Sequence, residues 1–307
     1  MSAWDSPQFV TEAGDWAEVA LAPHGVELTQ PATMLKARDW SCVLALDTTA
    51  GPMFLKAASP PTRFEPALTV ALAGLGDGAV LQPLAVDTDR GWMILPHGGE
   101  ELRRLESARE RWEVWERTLG LYAQLQRDAA RDVEPLLAAG VPDFRLERYA
   151  ALLDELAPAD RAGVERRAAP LVERLLAGPI PPSVQHDDLH GGNILVRDGV
   201  PVLFDWGDAS LAHPFMSLTV AQRVWRHTGE LDGENTDTAR LVAAYLRPWA
   251  DLASPTELEQ ILADAVRLGM LWRAFTYQRL ALALPRPLHE VIDGAAEGWT
   301  ELFLEDG

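Results

Sequence analysis

Near residue 96 the hydrophobic period of this chain changes, which limits it to folds that set a sheet-rich part beside a helical one. Before that point the apolar residues come in short extended runs: Thr33–Leu35, Trp40–Leu46, Met53–Lys56 and Trp92–Leu95. Turn formers separate several of them, as at Asp47–Gly51 and Asp87–Gly91. One helix interrupts the series, with Pro66 suited to its first turn, Ala67–Ala73 as its body and Gly74 and Gly76 to stop it. After residue 96, Trp112, Trp115, Leu119, Tyr122 and Leu125 recur at three- and four-residue steps, the stripe of a helix packed into a core. Helices are expected again at Leu146–Leu156, Val164–Leu176, Ala239–Leu246, Glu257–Tyr277 and Leu288–Phe303. Between them the breakers Gly178–Pro182 lead to a polar loop and a hairpin, Ile194–Val196 and Val202–Phe204, turning at Arg197–Gly199.

The 307 residues can bury two cores, and their 48% hydrophobic and 24% charged content is that of a folded globular protein. The formal net charge of -19 excludes broad contact with a phosphate backbone, so no nucleic acid partner is expected. An acidic surface can draw in a cationic substrate or serve solubility alone. Cys42 is the sole cysteine, beside the apolar Val43–Leu46, and reads as a small buried hydrophobe. Met1–Glu18 lacks the basic start and apolar run of a secretory signal, and no stretch approaches the ~18 apolar residues of a membrane span; a cytoplasmic protein with no membrane partner is expected.

The densest polar cluster is Gln185–Asn193, read Gln-His-Asp-Asp-Leu-His-Gly-Gly-Asn, and Asp205 follows at the far side of the hairpin, ahead of Trp206, Gly207 and Asp208. A carboxylate at 188, an amide five residues on and a second carboxylate at 205 suit phosphoryl transfer. There the protein positions the reactants and a metal neutralises phosphate charge. Magnesium takes oxygen ligands and only one or two protein side chains, which Asn193 and Asp205 can supply. A polar surface loop, or a His/Asp metal site for hydrolysis, is the competing reading; the helical His pair or Cys ligands that would strengthen the latter are missing.

The cluster resembles the catalytic loop of the aminoglycoside phosphotransferase and choline kinase-like family, His-Gly-Asp-x-x-x-x-Asn, with Asp187 where that family usually has Gly. Phe204–Ser210 and His213–Phe215 are similar to its metal-binding segment. The resemblance implies an α+β, protein kinase-like fold of two lobes: a nucleotide-binding lobe of small antiparallel sheet over residues 1–96 and a large helical lobe over 97–307. It implies Asp188 as catalytic base or hydroxyl-orienting group, Asn193 and Asp205 as Mg2+ ligands, and His186 as a brace for the loop. Lys56, ending the third strand, would grip the α- and β-phosphates of ATP with Glu65 as its ion-pair partner, although an acid at a helix start is favoured by the dipole anyway. Leu95 and His97 would belong to the hinge around adenine, and Ser41 to a phosphate loop, Lys36–Ser41, that lacks glycine. Neither a Walker lysine motif nor a Gly-x-Gly-x-x-Gly precedes Lys56, which excludes ordinary P-loop enzymes.

The implied reaction moves the γ-phosphate of ATP to a hydroxyl of a sugar, aminoglycoside or amino alcohol; the alternative is a non-catalytic nucleotide- or metabolite-binding protein that kept the fold. Trp225, Trp272, Arg273 and Tyr277 are candidates for the acceptor pocket, although aromatic residues on helices are commonly core, and contact of His97 or His190 with a ligand is left open.

Overall fold

The computed structural model describes residues 4, 6–75, 78–231 and 238–305. The chain opens with a helix, α1 (Pro7–Leu21), started by Ser6, whose hydroxyl accepts a hydrogen bond from the Gln8 N–H. Ala13, Ala17 and Leu21 recur at four-residue steps and bury one face of α1 against Leu44, Leu46, Leu55 and Trp92. No helix was expected in this segment, although Phe9 and Trp16 also pack on its sheet-facing side, both against Trp92.

The sheet beneath α1 has five antiparallel strands, β1 (Thr33–Ala37), β2 (Ser41–Thr48), β3 (Gly51–Ala58), β4 (Ala85–Asp87) and β5 (Trp92–Pro96), in the order β1-β2-β3-β5-β4. Along β2 the residues Cys42, Leu44 and Leu46 point to the core and alternate with more exposed neighbours. Cys42 is buried as expected, its thiol pushed up to about 12 by burial. Trp40 stands in the turn before β2 and not in the strand itself. The inserted helix α2 (Glu65–Leu75) begins one residue ahead of Pro66, so Glu65 is its first residue.

Beyond β5, Gly98 and Gly99 lead into a short strand, β6 (Glu100–Glu101). It joins a sheet with the hairpin β8 (Ile194–Arg197) and β9 (Val200–Leu203), while β7 (Ser183–Gln185) pairs with β10 (Ser210–Ala212). Gly99 has φ 114°, and a Cβ there would collide with the Val196 carbonyl, so only glycine lets the connector lie against the hairpin.

The rest is helical: α3 (Ala108–Ala129), α4 (Glu134–Ala138), α5 (Tyr149–Leu156), α6 (Arg161–Ala177), α7 (Leu218–His227), α8 (Ala239–Leu246), α9 (Pro255–Ala283) and α10 (Ala295–Glu305). Trp115, Leu119, Tyr122 and Leu125 are buried along α3, as their spacing requires. The long α9 is set by a capping box, Ser254 and Glu257 exchanging bonds across its first turn, and it is buried along most of its length. The helix expected over Leu288–Phe303 starts only at Ala295, because Gly294 takes the left-handed conformation, φ 70°, and turns precede it. Among the described residues no helix is long and apolar enough to cross a membrane.

Candidate active site

The edge of the sheet and the hairpin of the helical part meet in a cleft made of two adjoining cavities. The first, about 580 Å3, is lined by Val43, Phe54, Leu81, Leu95, Leu195 and Phe204, with Ser41, Lys56, His97 and Asp205 at its polar rim. That size and apolar lining suit a purine. β4 pairs with β5 only as far as Ile94, so the Leu95–His97 backbone has no strand partner on that side. The His97 carbonyl is taken by the Arg197 guanidinium, and the His97 ring lies beside Phe54.

Lys56 sits where the two parts touch. Its Nζ lies 2.6 Å from Glu65 Oε1 and 2.6 Å from Asp205 Oδ1, residues from α2 and from beyond β9. Glu65 is fully buried, and its Oε1 also accepts the Trp206 N–H at 3.0 Å. Burial pushes the Glu65 carboxyl up against the pull of Lys56. The lysine stays charged because its two carboxylates outweigh its burial. Asp205 is pushed up by burial but held below the usual range by Lys56, and its backbone is in the left-handed region, φ 65°.

The second cavity, about 540 Å3, shares Lys56, Ser41 and Asp205 with the first and adds Asp188, His190, Asn193, Asp208, Arg273 and Tyr277. The loop that carries Asp188 is braced as expected by His186, which is wholly buried. His186 Nε2 donates to the Phe204 carbonyl at 3.0 Å, and its Nδ1 accepts the Asp188 N–H at 3.4 Å. Burial lowers its pKa, so the ring is neutral and both nitrogens are already used; His190 Nδ1 likewise accepts the Gly192 N–H at 2.9 Å. Among the described residues no three His, Cys, Asp or Glu side chains come together in a group that could hold a metal ion.

Asn193 donates from Nδ2 to the Asp188 carbonyl at 2.9 Å and to Asp188 Oδ2 at 3.2 Å, which leaves its amide oxygen as the end available to a cation. With the Asp205 carboxylate, 45% exposed, this is a sparse all-oxygen donor set of the kind magnesium uses when phosphates and water complete its shell.

Asp188 has one further partner that sequence reasoning named only as a possible pocket residue. Arg273, on α9 and 4% exposed, reaches Asp188 Oδ1 at 2.9 Å, Asp208 Oδ2 at 2.8 Å and Asp187 Oδ2 at 3.3 Å. Burial alone would raise the Asp188 carboxyl; Arg273 and the His190 contact hold it well below the carboxylate range. Asp187 adopts φ 63°, the conformation that glycine takes without strain, and burial pushes its carboxyl up to about 6 despite Arg273. The legible signal for Arg273 was a lone cation inside the apolar run Gly269–Phe275, which is tolerated only when paired. Tyr277 stands under the same guanidinium, 4.7 Å from ring centre to Cζ. Trp225 and Trp272 do not line the cavity: Trp272 is fully buried and donates to the Phe144 carbonyl at 2.6 Å, and Trp225 packs edge-on to Trp115.

Known proteins share this fold. A search of curated proteins by sequence found no significant match. Among solved structures the chain is similar to a choline/ethanolamine kinase family protein from Mesorhizobium loti, with 19% identity, TM-score 0.60, and coverage of 96% of this chain and 95% of that one. It is similar to the GDP complex of aminoglycoside 2'-phosphotransferase-IIIa, with 13% identity, TM-score 0.60, and coverage of 95% and 98%. An amicoumacin kinase in complex with AMP-PNP and Ca2+ has 15% identity, TM-score 0.58, and coverage of 98% and 96%. These likenesses carry the two-lobed kinase-like fold. The model of the APH phosphotransferase enzyme family matches residues 37–260, from the end of β1 to the first turns of α9, a span that takes in Lys56, Glu65, Asp188, Asn193 and Asp205 but stops short of Arg273, so the chain belongs to that family.

Proposed function

We propose that the protein transfers the γ-phosphate of ATP, with Mg2+, to a hydroxyl of a small molecule. The observation that carries this reading is the meeting of Lys56 and Asp205 at 2.6 Å, from the two sides of a cleft whose next chamber holds Asp188 and Asn193. The AMP-PNP and Ca2+ of the amicoumacin kinase structure support a nucleotide with a divalent cation.

In this reading the first cavity holds adenine between Val43, Leu95 and Phe204, with Leu95 and His97 as its hinge and Ser41 beside the phosphates. Lys56, steadied by Glu65, neutralises phosphate oxygens. Asn193 and Asp205 would hold Mg2+, which when bound neutralises charge on the transferring group. Asp188 meets the acceptor hydroxyl. Its carboxylate, held ionised by the Arg273 guanidinium at 2.9 Å, accepts the hydroxyl's hydrogen bond and aligns it. The lining of the acceptor chamber includes Tyr277, Leu280, Val291 and Ile292 as well as Arg103 and His190, which suits an acceptor with an apolar face as well as a hydroxyl.

The test is Mg2+-dependent ADP release with kanamycin, erythromycin, choline, ethanolamine and a fructosamine as acceptors, together with calorimetry of MgATP binding. Asp188→Ala should abolish turnover, a loss of at least about 10³-fold, while MgATP affinity survives. Unchanged turnover in that variant, or a wild-type protein that does not bind MgATP, refutes the reading.

A further inference from the structure

Three carboxylates, from Asp187, Asp188 and Asp208, converge on one buried guanidinium. The two ends of that guanidinium are used differently. Nη1 is held by Asp187 and Asp208, at 3.3 and 2.8 Å, while Nη2 reaches Asp188 Oδ1 at 2.9 Å and the Tyr277 hydroxyl at 3.2 Å. Asp187 is itself fixed, its Oδ1 accepting from Gln185 Nε2 at 2.6 Å. Asp188 Oδ2, the other oxygen, has Asn193 Nδ2 at 3.2 Å and His190 Nε2 at 3.4 Å.

We propose that Arg273 is the positioning residue of the transfer step: it locks the Asp188 carboxylate in one rotation, and Asp187 and Asp208 hold it in place. The assignment rests on the kinase reading above and deepens it. A planar fork held at one end by two carboxylates has little freedom at the other, so the Asp188 plane is set by α9 as well as by its own loop. The two extra acids also keep the cluster net negative, so Asp188 is not cancelled by a private ion pair and still attracts a hydroxyl proton. This explains the acid at 187, where a left-handed backbone would be served best by glycine: the strain is tolerated because the carboxylate holds Arg273. Arg273 does not line the adenine cavity, so its effect should appear in turnover and not in nucleotide affinity.

The experiment is a kinetic cycle with MgATP and the best acceptor of the panel. Arg273→Met should lower kcat by about 10²-fold with KM for MgATP within about twofold, and Arg273→Lys should recover part of the loss. In an Asp188→Asn background the same Arg273→Met change should cost almost nothing further, because its effect passes through Asp188. Should Arg273→Met fail to fold, because Asp187 is left buried and unpaired, the cycle is run in an Asp187→Gly background, which removes that charge and suits the backbone. Equal factors in the two backgrounds, or a kcat left within twofold, overturn the assignment while the kinase reading stands. A wild-type protein without turnover takes both down.

Discussion

At the residue scale the pattern is of charges placed where burial would forbid them unless partners were supplied. Lys56 has two carboxylates and Arg273 has three, and removing one side of such a buried pair costs about 3–5 kcal/mol. His213 is the opposite case: buried, its Nε2 without a hydrogen-bond partner among the described residues, and its pKa pushed down to about 3. The unfolded chain takes up that proton near pH 6.5 and the folded chain refuses it until about pH 3. Between those values the unfolded state binds more protons, so stability falls as pH falls, by up to about 1.4 kcal/mol per pH unit. His213→Asn keeps the cap that accepts the Phe215 N–H and removes the titration, so melts at pH 7 and pH 5 should differ less in the variant than in the wild type. An unchanged difference would exclude His213 as its source; His186, depressed for the same reason, keeps a slope of its own. What the sequence showed at this scale was residue type and spacing: Asp188, Asn193 and Asp205 lie where the hairpin brings them, and Lys56 has the partner expected in Glu65. Arg273 was named only as a candidate for the acceptor pocket, and its target, 85 residues away, was not legible.

Elements were legible in proportion to their contrast. The capped, strongly apolar α9 and the aromatic stripe of α3 stood out, as did the strands of the first sheet with their turns. α1 was not expected although Phe9, Ala13, Trp16, Ala17 and Leu21 keep a helical spacing, and the start of α10 was placed too early because a left-handed glycine does not show in an amphipathic pattern. α9 organises the helical part and also carries Arg273 and Tyr277 to the cleft. It approaches α7 so closely that a Cβ on Gly269 would collide with Thr219 Oγ1 and lie 3.2 Å from the Met216 carbonyl. Gly269→Ala should therefore destabilise the fold by about 1–3 kcal/mol, despite the better helix propensity of alanine. Denaturant unfolding would measure it, and Thr219→Ala in the same chain should restore part of the loss. Full stability of the single variant would contradict the packing described.

On the scale of the whole molecule, the cavity proposed for the nucleotide draws its walls from both lobes, so MgATP should bind the folded state alone. At a hundred times its dissociation constant it should add about 2.7 kcal/mol of stability, read as a rise in Tm that disappears when Lys56→Met removes the phosphate contact. A Tm indifferent to MgATP would count against a joint site. The lobes are also fastened on both flanks. On one, Ala79 and Leu81 exchange backbone hydrogen bonds with Leu203 of the hairpin; on the other, Trp40 from the β1–β2 turn packs among Leu280, Leu288 and Ile292, with the His289 ring edge-on at 5.5 Å, while Arg279 donates to the Pro61 carbonyl. A hinge secured on a single side lets two halves swing apart like jaws, whereas ties on both flanks resist that opening.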